Sequence, residues 1–191
     1  MTRSDPATAL IVVDMQNDFC PGGALGVAGG DLLAPALARA AEGVGTVVAT
    51  RDRHPADHVS FTARGGPWPP HCVAGSGGAE VHPALPDELV TLKLRKGTGL
   101  DIDSYSGFRD DAGSGTGLAG FLRERGIERL YVCGLARDYC VRATAIDGAR
   151  AGFRVAIVDD LTRAVDPSSR ARVDHELSEA GVSVIESREL A

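Results

Sequence analysis

Short apolar runs, most of them rich in β-branched residues, recur at positions 9–13, 46–50, 89–94, 130–133, 155–158 and 182–185. Most lack the polar alternation of a half-exposed strand, so they predict strands buried on both faces. Between several of them lie helical patterns. Residues 31–42 follow a glycine pair and are rich in Ala and Leu, while 118–125 stop at Gly126, 138–151 at Gly152 and 168–180 at Gly181. Glycine just past a helix is a common stop, because it takes the left-handed backbone without a Cβ clash. Strands alternating with helices predict an α/β fold, a parallel sheet with helices on both sides.

Two stretches break this rhythm. Residues 51–78 are rich in Pro, Gly and His, and 101–117 in Asp, Ser and Gly. Long loops in compact domains are often functional, and ligands of open α/β sheets bind beyond the carboxyl ends of the strands. Two glycine patterns carry no such signal. Gly115-Thr116-Gly117-Leu118-Ala119-Gly120 spells G-x-G-x-x-G but follows a loop instead of a strand, and 22–30 lacks the Lys-Ser/Thr ending of a phosphate loop.

Composition narrows the classes. The 191 residues suit one domain, 1–191, and a net charge of −6 argues against nucleic acid, which demands a basic surface. Residues 1–6 hold no apolar signal core, and no apolar run is long enough for a bilayer, which predicts a cytoplasmic protein. Cys20, Cys72, Cys133 and Cys140 are too few and too scattered for a disulfide scaffold, so they read as reduced thiols.

Candidate chemistry gathers behind the predicted strands. Asp14 follows the first strand directly, where an acid is either a structural carboxylate or a catalytic one. Lys96 sits just past the third strand, a place where an isolated lysine is ordinarily a solvated charge. Cys140 follows the fourth strand by a short turn, with Asp138 placed to cap a helix whose first turn holds the thiol. The helix dipole there would lower the thiol pKa and bring backbone N–H groups near the sulfur for an oxyanion. Cys133, in mid-strand, reads as a structural cysteine. Three of the five histidines, with Asp52 and Asp57, crowd into 52–71, and Asp and His donors suit zinc, iron or manganese.

Five segments in order, DMQNDF (14–19), RDRHPADHVSF (51–61), WPPHCV (68–73), Lys96-Gly97 with DSYSGF (103–108), and GLARDYCVRAT (134–144), make the chain resemble the nicotinamidases of the isochorismatase-like cysteine hydrolase superfamily. That resemblance implies a three-layer α/β/α fold with a six-stranded parallel sheet. It implies a catalytic triad of Asp14, Lys96 and Cys140, with N–H groups of Ala136 and Cys140 as the oxyanion hole and a cis peptide before Ala136. It implies an aromatic substrate pocket from Phe19, Trp68 and Tyr105, with Leu135 beside it, and one divalent metal, zinc first, held by Asp52, His54 and His71. His58 stays outside that set, because relatives use this region in more than one way. Arg137 departs from the pattern, since many relatives carry a small or apolar residue there. The implied activity is hydrolysis of nicotinamide, and of pyrazinamide, to the acid and ammonia by a monomer or homo-oligomer without nucleic-acid or membrane partners. The alternatives are an isochorismatase or carbamoyl-amide hydrolase, in branches that generally lack the metal cluster, or a non-catalytic metal- or nucleotide-binding module.

Overall fold

Six strands, all paired in parallel, form one sheet in the order β3-β2-β1-β4-β5-β6: β1 Thr8–Val13, β2 Thr46–Asp52, β3 Leu92–Lys96, β4 Arg129–Leu135, β5 Arg154–Arg163 and β6 Ser183–Ile185. The helices are α1 Ala34–Glu42, α2 Leu118–Glu124, α3 Arg142–Arg150 and α4 Arg170–Glu179. The structure, a computed structural model, describes residues 5–190, so the part of the N-terminal reading that falls on 1–4 lies outside it. No helix among the described residues is long and apolar enough to cross a membrane.

The central strand explains why its sequence shows no polar alternation. Leu10 and Val12 of β1 point into one apolar cluster, which α1 covers through Ala34, Leu37 and Ala41. Ala9, Ile11 and Val13 point into the other, covered by Leu118 and Leu122 of α2, Ala145 of α3, and Val173 and Leu177 of α4. A strand covered on both faces has no side free for polar residues. The two cover layers are unequal: a single α-helix plus long loops on one face, three helices on the other.

Several predicted boundaries shift at the functional edge. The second, fourth and fifth strands run on by two to five residues, through Asp52, Leu135 and Arg163. The third starts later, at Leu92, because Asp87–Leu89 forms a 3-10 turn, and it includes Lys96 instead of ending before it. As an edge strand it also alternates in exposure, unlike the central ones. The predicted helix 138–151 divides into a wide π-type turn, Arg137–Val141, and α3.

The strand order reverses direction between β1 and β4. The crevice outside the carboxyl ends at such a switch point is where open α/β sheets bind ligands. Asp14 leaves β1 and the turn carrying Cys140 leaves β4 on its two sides. Gly134 lets these two strand ends approach: its φ is 101°, and a Cβ there would sit 2.1 Å from the Val13 carbonyl oxygen.

Candidate active site

Three strand ends converge on one ammonium group. Lys96, the last residue of β3, is buried, and its Nζ lies 2.8 Å from Asp14 Oδ2, 2.6 Å from Asp52 Oδ1 and 3.3 Å from Cys140 Sγ. It also donates to the Ser104 carbonyl at 3.1 Å. Far from being a solvated charge, it is the cation that allows two carboxylates to stay buried side by side. Burial alone would lower the lysine pKa, but Asp14 and Asp52 win and hold it well above the ordinary value.

Asp14 leaves its strand with φ 45°, a left-handed conformation uncommon for a residue with a Cβ and most often tolerated at functional sites. Thr50 Oγ1 donates to Asp14 Oδ1 at 2.7 Å, orienting the carboxylate. Burial raises the Asp14 pKa despite the opposing pull of Lys96, a shift that would suit a group exchanging a proton. Its carboxylate, the Asp52 carboxylate and Cys140 Sγ all lie within 4.8 Å of one another. That cluster has metal-ligand composition, but the Lys96 ammonium already stands among its three donors.

The surroundings of Cys140 correct one expectation. Burial pushes its thiol pKa well above the usual value, against the pull of Lys96. A thiol raised in this way gives up its proton only to a base beside it, and the Asp14 carboxylate lies within 4.8 Å of the sulfur. Asp138 is not a helix cap either. Its carboxylate accepts from the Val165 and Asp166 N–H groups, both at 2.9 Å, tying the turn to the segment after β5. The residue before the turn is Ala136, whose peptide bond with Leu135 is cis and whose carbonyl accepts from Tyr139 and Val141 N–H at 3.0 and 3.1 Å. Cys133 is fully buried in β4, as a structural cysteine would be.

Beside the lysine, Asp52, His54 and His71 are all buried, and one donor atom from each lies within 4.8 Å of the others. Their hydrogen bonds fit a cation. His54 Nδ1 meets the Gly97 carbonyl at 2.9 Å and His71 Nδ1 the Pro69 carbonyl at 2.8 Å. A carbonyl only accepts, so each Nδ1 carries a proton, and in the neutral form of each ring Nε2 keeps a lone pair for a cation. Asp52 divides its carboxylate: Oδ1 goes to Lys96, while Oδ2 faces His54 Nε2 at 3.5 Å. Burial would raise the Asp52 pKa, but Lys96 and His54 hold it far below the usual carboxylate range. The same burial lowers His71. His58 packs against His54 with ring centroids 4.2 Å apart, but its nitrogens already meet Ser60 Oγ at 2.7 Å and the Ile102 carbonyl at 3.1 Å. These donors fit one divalent metal, with His58 as a wall.

Phe19, Trp68 and Tyr105 line one cleft together with Ala136, Cys140, Asp52 and His71. Trp68 Nε1 donates to the Tyr105 hydroxyl at 3.0 Å, which fixes both rings. Leu135 does not reach the cleft: it is fully buried in the apolar layer beside α1, since alternation along β4 points it away from the site. Sequence reasoning missed Tyr139, Leu25, Val27 and Val165, which complete the walls. Tyr139 had a signal, being next to Cys140; the other three are ordinary apolar residues that only folding brings here. A groove of about 930 Å³ lies over α3 and α4 and shares only Tyr105 and Tyr139 with the far smaller cleft, so size does not mark the chemistry.

Residues 8–189 match the isochorismatase domain family. The chain belongs to the isochorismatase family. This isochorismatase-family chain is 42% identical to a nicotinamidase of Acinetobacter baylyi, over 95% of its own length and 94% of the relative's. It superposes with a TM-score of 0.96 on a structure from L. infantum solved in complex with nicotinate, at 44% identity over 100% and 98% of the two chains. A pyrazinamidase of Pyrococcus horikoshii in complex with zinc gives a TM-score of 0.85 at 44% identity, over 95% and 99%.

Proposed function

We propose that this chain is a nicotinamidase, hydrolysing nicotinamide to nicotinate and ammonia and accepting pyrazinamide. The observation that carries the reading is the position of Lys96 Nζ, 2.8 Å from Asp14 and 3.3 Å from Cys140 at the base of a cleft walled by Phe19, Trp68 and Tyr105. Support comes also from relatives that carry this activity in their names at 42% and 37% identity.

Asp14 takes the thiol proton as Cys140 Sγ attacks the carboxamide carbon. The Ala136 and Cys140 N–H groups stabilise the oxyanion, where such donors are worth roughly 100- to 1000-fold in rate. Asp14 passes the proton to the departing nitrogen, so ammonia leaves and a thioester remains. Water then attacks the thioester, Asp14 receives a proton from it, and the sulfur leaves and is reprotonated. Lys96 keeps the charge of this pair balanced throughout. Phe19, Trp68 and Tyr105 hold the flat ring, aromatic contacts contributing about 0.5–1.5 kcal/mol beyond burial. Asp52, His54 and His71 would hold the divalent ion, zinc by first choice, which when bound supplies a Lewis acid beside the ring-binding walls.

Ammonia release from nicotinamide, pyrazinamide, benzamide and a carbamoyl amide, alongside turnover of isochorismate, tests the assignment. The pyridine and pyrazine carboxamides should be turned over best, and Trp68→Ala should raise KM for nicotinamide while leaving the thermal midpoint nearly unchanged. Preference for isochorismate or the carbamoyl amide would replace this reading by that of a sister hydrolase.

A further inference from the structure

Arg137 opens the turn that carries Cys140, yet it is absent from the walls of the aromatic cleft. It is 5% exposed. Its guanidinium reaches away from the cleft to two carboxylates on separate elements: Nε bonds Asp159 Oδ1 of β5 at 3.0 Å, and Nη2 bonds Asp174 Oδ1 of α4 at 2.8 Å. Arg170 spans the same two acids, at 2.9 Å to Asp159 Oδ2 and 3.4 Å to Asp174 Oδ2. Two guanidiniums and two carboxylates thus alternate in a closed ring. The neighbouring Asp138 carboxylate grips two N–H groups of the segment after β5.

The turn is therefore held from inside by the Ala136 carbonyl, which accepts from Tyr139 and Val141, and from outside by its own first two side chains. We infer that Arg137 is a positioning residue for the oxyanion donors: by anchoring the turn to β5 and α4 it sets the direction of the Ala136 and Cys140 N–H groups without touching substrate. The planar fork matters, because one guanidinium can reach two separate carboxylates in fixed directions, whereas a lysine ammonium is a point charge on a flexible stem. The inference rests on the proposed role of Cys140 as nucleophile.

Pyridine-3-carbaldehyde separates donor geometry from ring binding. The Cys140 thiol adds across its carbonyl: the C–S bond forms, the thiol proton passes by way of Asp14 to the oxygen, and nothing leaves. The oxygen of that adduct lies where the oxyanion donors act, while nicotinate tests the pocket alone. Affinity for both compounds, with kcat, KM and thermal midpoint, is measured for wild type, Arg137→Ala, Arg137→Lys and Asp174→Ala. Asp174 lies partly exposed on α4, so its variant removes one arm of the ring with little risk to folding. In Arg137→Ala we expect aldehyde affinity and kcat to fall about tenfold or more, less than the roughly 100- to 1000-fold of losing a donor outright. Nicotinate affinity and KM should stay within about threefold, a spread worth less than 1 kcal/mol. Arg137→Lys and Asp174→Ala should fall between this variant and wild type. A folded Arg137→Ala with unchanged aldehyde affinity would overturn the inference. So would parallel losses of aldehyde and nicotinate affinity that track the thermal midpoint. A wild-type protein that forms no adduct would overturn the reading of Cys140 itself, and this inference with it.

Discussion

Lys96 Nζ and Asp52 Oδ1 stand 2.6 Å apart in the protein interior, which joins the Asp14–Lys96 ion pair beside Cys140 to the Asp52, His54 and His71 group through a single ammonium. Removing that ammonium leaves the Asp14 and Asp52 carboxylates buried without their counter-charge. Breaking a buried ion pair from one side costs about 3–5 kcal/mol. Lys96→Ala should therefore lose nearly all ammonia release and melt well below wild type, and Lys96→Arg should not restore activity, because the larger planar group does not fit among three donors. A Lys96→Ala protein with wild-type melting temperature would show that Asp14 or Asp52 is already neutral.

Cys140 and Cys133 are both buried, but the proposed mechanism uses only Cys140. Cys140→Ala should lower ammonia release by roughly 1000-fold or more, as loss of a nucleophile does elsewhere, and keep the circular dichroism spectrum. Cys133→Ala should keep most activity and lose about 1–3 kcal/mol of stability, the ordinary range for a buried truncation. Comparable rates for Cys140→Ala and wild type would remove the thioester route.

Metal content reads out the donor set independently of turnover. His54→Ala should bind a divalent ion much more weakly, as shown by elemental analysis after dialysis, and chelation should abolish activity that added metal restores. Gly97 offers a subtler probe: its φ is 60°, and a Cβ there would lie 2.5 Å from His54 Cε1. Gly97→Ala displaces the ring and the carbonyl that orients it, and losing such an orienting partner typically costs about 10- to 100-fold in metal affinity. Full activity in verified metal-free protein would leave the cluster a structural role only.

Acid should loosen the ring around Arg137. Burial alone would raise the Asp159 pKa, but the hydrogen bonds from Arg170 and Arg137 hold it below its ordinary 3.8. A carboxyl group lowered in the folded state contributes stability that is fully present above its unfolded pKa and disappears as pH falls through the folded value. Asp159→Asn should lower the melting temperature at neutral pH and flatten its decline below about pH 4. Thermal melts across that range test this; an unaltered acid-side slope would place the pH sensitivity on other carboxylates.

The fold class and most residues of the candidate site are legible from the chain alone because they depend on local order. Runs without polar alternation mark strands covered on both faces, and polar residues placed directly after them fall at the ligand-binding edge of the sheet. The histidine and carboxylate cluster between Asp52 and His71 is dense enough to be noticed before folding, and the five motif segments name the family resemblance.

What lies beyond the sequence is set by packing between distant segments. How far the Cys140 thiol is raised depends on how much of the fold closes over it, and burial lifts it well above the usual value. Asp138 could cap its own turn or bind elsewhere, and only the segment after β5 offers it two N–H groups. Leu135 follows the alternation of β4 into the core, while Leu25, Val27 and Val165 become pocket walls with no chemical mark in the sequence. The sequence by itself determined which residue types stand at the strand ends. Tertiary structure alone decided that Lys96 would sit among Asp14, Asp52 and Cys140, because a buried charge is stable only where opposite charges from other strands meet it.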